Sequence, residues 1–219
     1  PHSLHNTFRE LFMTAKNLPK DFAKDAPAKT PKNKTKDKYR CNWCTGSDLY
    51  ENYHDHEWGV PLKDPEALFK LLILEGMQAG LAWITVLNKR EHMHKLFFGF
   101  DMSKVAAATP GDVESWLLDA GIIRHRGKLN AMIGNAQSAL DIQDFSGFLW
   151  QFAPPKLRTN KNFDVPAQTD ESNLMSKALK AKGFRFVGPT ICIALCKVPA
   201  RAIVLHPVCW RNSVSQNLL

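Results

Sequence analysis

Apolar residues recur every three or four positions along most of the chain, the spacing that places them on one face of a helix. Leu68, Leu71 and Leu72 follow this spacing in one segment, and residues 127–141 repeat it in another. No segment shows a sustained alternation of apolar and polar residues, which is the pattern of a half-buried strand. The sequence therefore predicts an all-α protein, and it contains no internal repeats.

Capping residues mark where the predicted helices begin and end. Asp64 is a suitable N-cap for a helix with Pro65 at its first position, and Gly76 and Gly80 end or bend that helix. Further helical segments are expected over residues 82–96, 101–108, 109–121, 127–141 and 171–182, with a short aromatic segment over 145–152. Residues 41–61 are predicted to form loop and short helical turns, and residues 154–169 a loop.

The first 39 residues differ in composition from the rest of the chain. Residues 16–38 consist mainly of Lys, Pro, Asp, Thr and Ala, which cannot offset chain entropy and predicts disorder. Leu4, Phe8 and Leu11 share a helical face, either of a short docking helix or of a leftover targeting or fusion segment. We therefore expect a basic extension over residues 1–39 and a folded domain over residues 40–219.

The positive charge is concentrated in that extension. The formal net charge is +8 and the pI is near 9.3. The extension holds nine Lys/Arg and four Asp/Glu, so it carries five of the eight excess charges and the domain carries three. A polyanionic partner such as DNA is permitted, and a solvated tail on a mildly basic domain is the alternative.

Cysteine usage and the lengths of the apolar runs indicate the compartment. Five cysteines are an odd number in a chain of this size and favour reduced thiols or metal ligands over disulfides. No apolar run reaches the ~18–20 residues that span a bilayer, and no signal peptide is visible. We expect a soluble, cytoplasmic protein.

Four Cys and His residues could form a metal site. Cys41 and His54 supply half of a tetrahedral zinc site, and His206 and Cys209 near the other end of the chain could supply the other half. Such a structural zinc site would tie the two ends of the domain together. The alternative is that these four residues are unrelated. The other three cysteines, Cys44, Cys192 and Cys196, are expected in the core.

Glu75 lies within an apolar run, where an ionised carboxylate is costly unless it is paired. Either it faces water at a helix end, or it lies in a pocket and accepts hydrogen bonds from a cationic or amino-bearing ligand. Tyr50, Tyr53 and Trp83 could line that pocket, and ordinary aromatic core is the alternative. These residues all fall between Arg40 and Trp83.

A tight turn at Val187-Gly188-Pro189 separates two predicted helices. This order is typical of a helix-hairpin-helix, in which backbone N–H groups at the hairpin and at the next helix bind a DNA phosphate. No Lys follows the turn where a Schiff-base nucleophile would be expected. The basic run over residues 124–128 is either solvated or a second phosphate contact.

Long motifs then connect the chain to a known family. In order along the chain they are Arg-Cys-x-Trp, Tyr-x-x-Tyr-His-Asp-x-Glu-Trp-Gly-Val-Pro, Leu-Glu-Gly-x-Gln-Ala-Gly-Leu-x-Trp-Ile-Thr-Val-Leu, Ala-Gly-Ile-Ile-Arg-His-Arg-Gly-Lys and Ser-Lys-Ala-Leu-Lys-x-x-Gly-Phe-x-Phe-Val-Gly. Over about residues 40–192 the chain resembles the DNA-3-methyladenine glycosylase I family. The resemblance implies a helix-hairpin-helix glycosylase fold with a zinc site joining its ends, and hydrolysis of the N-glycosidic bond of 3-methyladenine in alkylated double-stranded DNA.

The resemblance also implies roles for individual residues. Glu75 would hydrogen-bond a base flipped out of the duplex, Trp83 would stack on it, and Tyr53 would hydrogen-bond it with Tyr50 beside it. Cys41 and His54 would be the first two zinc ligands, and Gly80 and Leu81 would fill the gap in the duplex. Gly188 would contact the DNA backbone from the hairpin.

The chemistry of 3-methyladenine fits such a pocket. The lesion is a cation on a weakened glycosidic bond, so an aromatic face and a carboxylate favour it, and its neutral departure requires little general-acid catalysis. We expect a monofunctional enzyme, acting as a monomer in base excision repair. The alternative is a non-catalytic DNA-binding or damage-recognition module.

The chain departs from the family pattern after Cys192. The family continues with roughly Tyr-Ser-Phe-Met-Gln and later Asn-Asp-His-x-x-x-Cys, whereas this chain reads Ile-Ala-Leu-Cys-Lys over residues 193–197. One codon choice for residues 192–197, TGT ATA GCT TTA TGC AAA, gives Tyr-Ser-Phe-Met-Gln when read from its third base. We hypothesise a one-base slip, under which His206 and Cys209 would match the zinc pair by chance. Codons that cannot be re-read in this way would exclude it.

Overall fold

The computed structural model describes residues 39–154, 166–197 and 209–211. Within these ranges the chain is helical and contains no β-strand, so the all-α prediction is confirmed. The helices are α1 (Asp48–His56), α2 (Pro65–Gln78), α3 (Trp83–Leu96), α4 (Met102–Ala106), α5 (Pro110–Leu118), α6 (Arg126–Leu140), α7 (Phe145–Trp150), α8 (Asp170–Ala181) and α9 (Pro189–Lys197). None of them is long and apolar enough to cross a membrane.

Helix α2 lies at the centre of the molecule and contacts α3, α6, α7 and α9. Its start is fixed as predicted, because the Asp64 side chain accepts a hydrogen bond from the Ala67 N–H at 2.7 Å and Pro65 occupies the first turn. Its second half is buried on every side, from Leu72 to Gln78. A helix that is apolar all round is a core helix, and this one carries Glu75 into the core.

The remaining helices pack around α2. Helix α4 packs on α6, α1 packs on α3, and α8 packs on α9. Aromatic rings fill the space beside α3 and α5, where Phe97 and Trp116 meet edge to face at 4.9 Å between ring centroids. The Thr109–Asp112 capping box and Pro110 start α5 as the sequence predicts.

Two tight turns interrupt this helical packing. The first follows α2, where the Leu81 N–H donates to the Gln78 carbonyl at 2.6 Å and Gly80 has φ +79°, a conformation that favours glycine. The second joins α8 to α9, with Gly183 at φ +92° and Phe186 at φ +57°. The helix, turn and helix predicted around residues 183–190 are therefore present.

Two sequence predictions are corrected. The sequence predicts loop and short helical turns over residues 41–61, but α1 is a regular helix of nine residues, capped by the Ser47 side chain. Its nine residues include only Leu49, Tyr50 and Tyr53 as apolar or aromatic side chains, which are too few to show a repeated helical spacing. Helix α2 also continues through Gly76, and this glycine lies against Phe186 of the second turn.

Several predictions lie outside the described residues. They concern the N-terminal extension over residues 1–38, most of the loop between Pro154 and Thr169, and His206.

Candidate functional site

Glu75, Tyr53 and Trp83 come together in the core from three different helices. Glu75 on α2 is only 4% exposed, so the alternative that it faces water is wrong. Tyr53 on α1 packs against Trp83, the first residue of α3, with ring centroids 5.4 Å apart and planes tilted by 50°. The Glu75 charge acts on Tyr53, which packs on Trp83, so Tyr53 links the carboxylate to the indole.

The Glu75 carboxylate also acts on Tyr50, one helical turn before Tyr53. Burial, followed by the charges of Cys44 and Glu75, raises the pKa of the Tyr50 phenol to about 12. For Tyr53, burial followed by the charge of Glu75 raises the pKa well above 10. Both phenols are therefore neutral O–H donors at physiological pH, next to a carboxylate that can only accept when ionised.

The indole of Trp83 is buried, and its N–H has no hydrogen-bond partner among the described residues. Buried polar groups almost always have a partner, so an unpaired one at a candidate site points to a ligand or an ordered water. This cluster therefore offers an indole N–H in addition to the phenols and the carboxylate.

Two tryptophans that sequence reasoning did not assign to the site complete its wall. Trp43 meets Tyr50 at 5.1 Å and Trp58 at 5.2 Å between ring centroids, and Trp58 also lies 6.0 Å from Tyr53. Trp43 is 38% exposed, which is high for so large a ring. The signal for both was their place within the motifs that begin at Arg40 and Tyr50.

The turn after α2 separates Glu75 from Trp83 in sequence and is held by hydrogen bonds from α6. The buried Lys128 ammonium donates to the carbonyls of Met77 and Ala79, at 2.8 and 2.6 Å. Gly80 at the tip is exposed and Leu81 is half-buried. The two residues predicted to enter the duplex therefore form the outer part of a fixed turn.

Lys128 was predicted, with its basic neighbours, to be either solvated or a phosphate contact, and for Lys128 both alternatives are wrong. Its ammonium points inward because the carbonyls at the end of α2 need donors. Arg126 instead forms an ion pair with Glu114. Arg124 and His125 remain exposed beside them.

Gly188 lies at the start of α9, where its carbonyl accepts the N–H groups of Ile191 and Cys192, both at 2.9 Å. A side chain at this position would meet nothing within 4 Å. The N-terminal end of a helix favours anions, so the position is compatible with the phosphate contact expected from the sequence.

Cys41, His54 and Cys209 form a second cluster. Their ligand atoms all lie within 4.8 Å of one another and all three residues are buried. The Cys209 sulfur is 3.4 Å from His54 Nε2. The structure therefore brings together three of the four residues predicted to bind a metal, from opposite ends of the domain, and the fourth, His206, lies outside the described residues.

Surrounding polar groups orient this cluster. His54 Nδ1 contacts Asp55 Oδ1 at 2.8 Å, and Arg40 grips both oxygens of the same carboxylate at 2.9–3.1 Å. Burial raises the pKa of Asp55, but the hydrogen bonds from Arg40 and His54 outweigh it and the pKa falls to about 2. The ionised Asp55 carboxylate holds the His54 ring through Nδ1 and leaves Nε2 facing Cys209.

Cys209 is held in place by its own neighbours. The Arg211 guanidinium, itself buried, donates to the carbonyls of His54 and Trp58. The main-chain N–H of Trp210 donates to the Tyr39 carbonyl at 3.0 Å. A hydrogen bond from Cys41, followed by one from His54, holds the pKa of the Cys209 thiol down to about 4, against the effect of burial.

The other three cysteines lie in the core, as predicted. Burial, followed by the Glu51 charge, raises the pKa of Cys44 to about 11, and its thiol donates to the Cys41 carbonyl at 3.0 Å. Burial, followed by the charge of Cys196, raises the pKa of Cys192 to about 12. These neutral thiols contrast with Cys209 and are not suited to bind a cation.

The buried carboxylate predicts how the tyrosines titrate. Glu75→Gln removes a negative charge that disfavours phenolate, so the pKa values of Tyr50 and Tyr53 are expected to fall. Phenolate absorbance in the near ultraviolet measures this shift, with Tyr50→Phe and Tyr53→Phe to assign the transitions. Glu66→Gln, at the start of the same helix, is the control and should leave the titration unchanged.

The same shifts have a consequence for stability. Because the folded pKa of Tyr50 lies above its ordinary value of 10, the phenol contributes stability that is fully present below pH 10 and is lost as the pH rises toward about 12.

A Glu75→Gln titration that superimposes on that of the wild type would mean that the carboxylate lies away from both phenols.

The sequence was compared with family models and with known proteins. The family model described as methyladenine glycosylase matches residues 43–199. The chain is 49% identical over 160 residues to DNA-3-methyladenine glycosylase 1 of Escherichia coli K12, covering 70% of this chain and 86% of that protein. It is 44% identical over 162 residues to DNA-3-methyladenine glycosylase of Haemophilus influenzae Rd, covering 71% and 88%.

Solved structures agree in fold. A crystal structure of 3-methyladenine DNA glycosylase I superimposes with a TM-score of 0.75 at 42% identity, covering 78% of this chain and 98% of that one. A single-residue variant of a 3-methyladenine DNA glycosylase I, in complex with 3-methyladenine, gives a TM-score of 0.73 at 36% identity, covering 78% of this chain and 96% of that one. The match of the family model over most of the described domain, and the helices that carry Glu75, Tyr53 and Trp83, establish that the chain belongs to the methyladenine glycosylase family.

Proposed function

We propose that this protein is a DNA repair glycosylase that hydrolyses the N-glycosidic bond of 3-methyladenine in alkylated double-stranded DNA. The observation that carries the proposal is the Glu75 carboxylate, which is 4% exposed and acts on Tyr53, the residue that packs on Trp83. Its support comes from the relatives named for this activity and from the neighbour solved with 3-methyladenine.

The pocket suits a flat cation that has left the base stack. An indole face attracts a cationic ring more strongly than a neutral one, and a carboxylate shielded from water forms a charge-assisted hydrogen bond with it. Tyr53 and Tyr50 donate from neutral phenols, so they add no charge repulsion. Unmodified adenine lacks the positive charge and gains less from Trp83 and Glu75, which makes the pocket selective.

The reaction needs little proton transfer to the leaving group. When the bond between C1′ and the base nitrogen breaks, its electron pair moves to the base and cancels the positive charge, so the base leaves neutral. Water then bonds to C1′ and loses a proton. Glu75, placed beside the base, stabilises the positive charge that develops on the sugar as the bond lengthens, and Tyr53 orients the departing base.

Duplex DNA is proposed to meet the protein at the two turns. Gly80 and Leu81 would occupy the space that the flipped nucleotide leaves, and the hairpin at Gly188 with the start of α9 would hold a phosphate as in a helix-hairpin-helix. No lysine occurs between Pro189 and Cys196, so we propose a monofunctional enzyme without strand cleavage.

A base-release assay tests the proposal. The wild-type protein is expected to release 3-methyladenine from methylated duplex without cutting the strand. Glu75→Gln and Trp83→Ala are each expected to slow release by about a hundredfold or more, since removing one preorganised electrostatic contact costs that much. Glu66→Gln, on the same helix outside the pocket, should keep the wild-type rate.

The outcome also separates the two functions considered from the sequence. A damage-recognition module would bind methylated duplex and release no base. Binding without release by the wild-type protein would therefore contradict the proposed activity.

We also propose that Cys41, His54, Cys209 and His206 bind a structural zinc ion. Two thiol sulfurs and an imidazole Nε2 within 4.8 Å, all buried, match the donors that zinc prefers. The Asp55 carboxylate behind His54 is a typical outer partner of a zinc-bound histidine. The ion would supply no chemistry to the pocket. Its role would be to fasten Cys209 to α1, the helix that carries Tyr50 and Tyr53.

Metal analysis tests this site. Cys209→Ser is expected to lose the zinc and to lower the melting temperature together, because zinc binding to a structural site contributes to folding. His206→Ala should lower the zinc affinity. Cys44→Ser is the matched control: it changes a buried thiol three residues from Cys41, and should keep the full zinc content. A Cys209→Ser protein with unchanged zinc and melting would exclude Cys209 as a ligand.

A further inference from the structure

Helix α6 holds the turn after α2 through a buried cation. Lys128 is 6% exposed, and its ammonium donates to the carbonyls of Met77 and Ala79 on either side of Gln78. Burial lowers the pKa of this ammonium. Burying this flexible, charged side chain costs desolvation and side-chain entropy. Its two hydrogen bonds to the main chain hold the turn in one position.

The same face of α6 holds the hairpin turn. Asn135 lies seven residues after Lys128, two helical turns or about 10 Å along the axis. Its Oδ1 accepts the Arg185 N–H at 2.8 Å and its Nδ2 donates to the Arg185 carbonyl at 2.9 Å. The Arg185 guanidinium in turn donates to the Asn130 carbonyl at 2.8 Å. Asn135 therefore pairs with the Arg185 main chain as a strand neighbour would.

The two turns lie close together at the start of α6. A Cβ built on Gly76 of α2 would lie 3.5 Å from the Phe186 carbonyl oxygen, and the Phe186 ring reaches His125 at 5.9 Å between centroids. Lys128, Asn135, Gly76 and Phe186 all line one cavity of about 10 Å³. Gly80 and Phe186, at the outer parts of the turns, are exposed.

We propose that α6 is a splint, in which Lys128 and Asn135 are positioning residues that fix the distance between the turn over residues 78–81 and the turn over residues 185–188. With that distance fixed, one duplex engages both turns at once while the base enters the pocket. The inference rests on the proposed function, since the engaged partner is the DNA substrate. Neither residue touches the base.

Comparing duplex with free base tests the splint. Lys128→Met and Asn135→Leu are each expected to slow base release from methylated duplex by about a hundredfold, the effect of a displacement near 1 Å. Both should bind free 3-methyladenine as the wild type does, because the pocket residues are unchanged. Gln137→Leu is the matched control. It removes a hydrogen bond from α6 to the Ala106 carbonyl, away from both turns, and should leave release unchanged.

The double variant shows whether the turns act as a unit. Residues that act together are strongly non-additive, so Lys128→Met with Asn135→Leu should slow release no further than the worse single variant. A loss equal to the product of the two single losses would mean that the turns contribute separately, and would overturn the splint.

Asn135→Asp provides a rescue that mere destabilisation would not. A protonated aspartate keeps an acceptor for the Arg185 N–H and a donor for the Arg185 carbonyl, whereas the carboxylate lacks the donor. Release by Asn135→Asp, relative to wild type, is therefore expected to rise as the pH falls through the range where the new carboxyl group gains a proton. A ratio independent of pH would contradict the role given to Asn135.

Amide hydrogen exchange tests the splint in the protein without DNA. Lys128→Met should speed exchange at residues 79–81, and Asn135→Leu at residues 185–188, with the rest of α2 and α9 protected as in the wild type. If the wild-type protein released no base while these exchange patterns appeared, the proposed function would fail and the splint would stand. Unchanged exchange at both turns in both variants would overturn the splint whatever the enzyme activity.

Discussion

A carboxylate kept from water by three helices is the constraint on which the site depends. Glu75 lies in the half of α2 that is buried on every side and is itself 4% exposed. Its charge disfavours ionisation of Tyr50 and Tyr53, which stay neutral donors. A buried negative charge is costly in the empty protein, and a cationic ligand recovers that cost as binding energy. The proposed preference of the pocket for a cation follows from the placement of this carboxylate.

That placement depends on parts of the chain far from the pocket. Helix α1 supplies the phenols of Tyr50 and Tyr53. His54, which directly follows Tyr53, belongs to the cluster with Cys41 and Cys209. The buried Arg211 reaches the end of the same helix. Helix α6 holds the outer turn between α2 and α3, where DNA is proposed to bind. The first support therefore acts on the helix that carries the phenols, and the second acts on the turn that faces the duplex.

Much of the fold could be predicted because local chemistry determines it. Helices α2 and α5 begin where the sequence predicts, because each has a capping side chain followed by proline: Asp64 with Pro65, and Thr109 with Pro110. Helix α1 escaped prediction because it is short, and only Leu49, Tyr50 and Tyr53 among its nine residues are apolar or aromatic. Periodicity detects helices through repeated apolar positions, and nine residues offer too few of them.

Sequence patterns predicted the orientation of individual side chains less well than they predicted the starts of helices. Lys128 follows three basic-type residues and resembles a surface contact, yet tertiary packing turns it toward two carbonyls. Glu75 and Trp83 were assigned through the resemblance to a family, because spacing alone could not exclude a water-facing carboxylate. Cys209 meets Cys41 and His54 in the structure. The one-base slip after Cys192 remains a hypothesis for the coding DNA to test.

The central claim is that the buried charge of Glu75, together with the face of Trp83, recognises a cationic base. Titration of free 3-methyladenine into the wild type, Glu75→Gln and Trp83→Ala tests it most directly, with lesion-free duplex affinity as the control. A charge-assisted hydrogen bond contributes about 1.5–3 kcal/mol, so Glu75→Gln should weaken base binding by about tenfold or more and leave duplex binding unchanged. Base binding equal to that of the wild type in both variants would contradict the account.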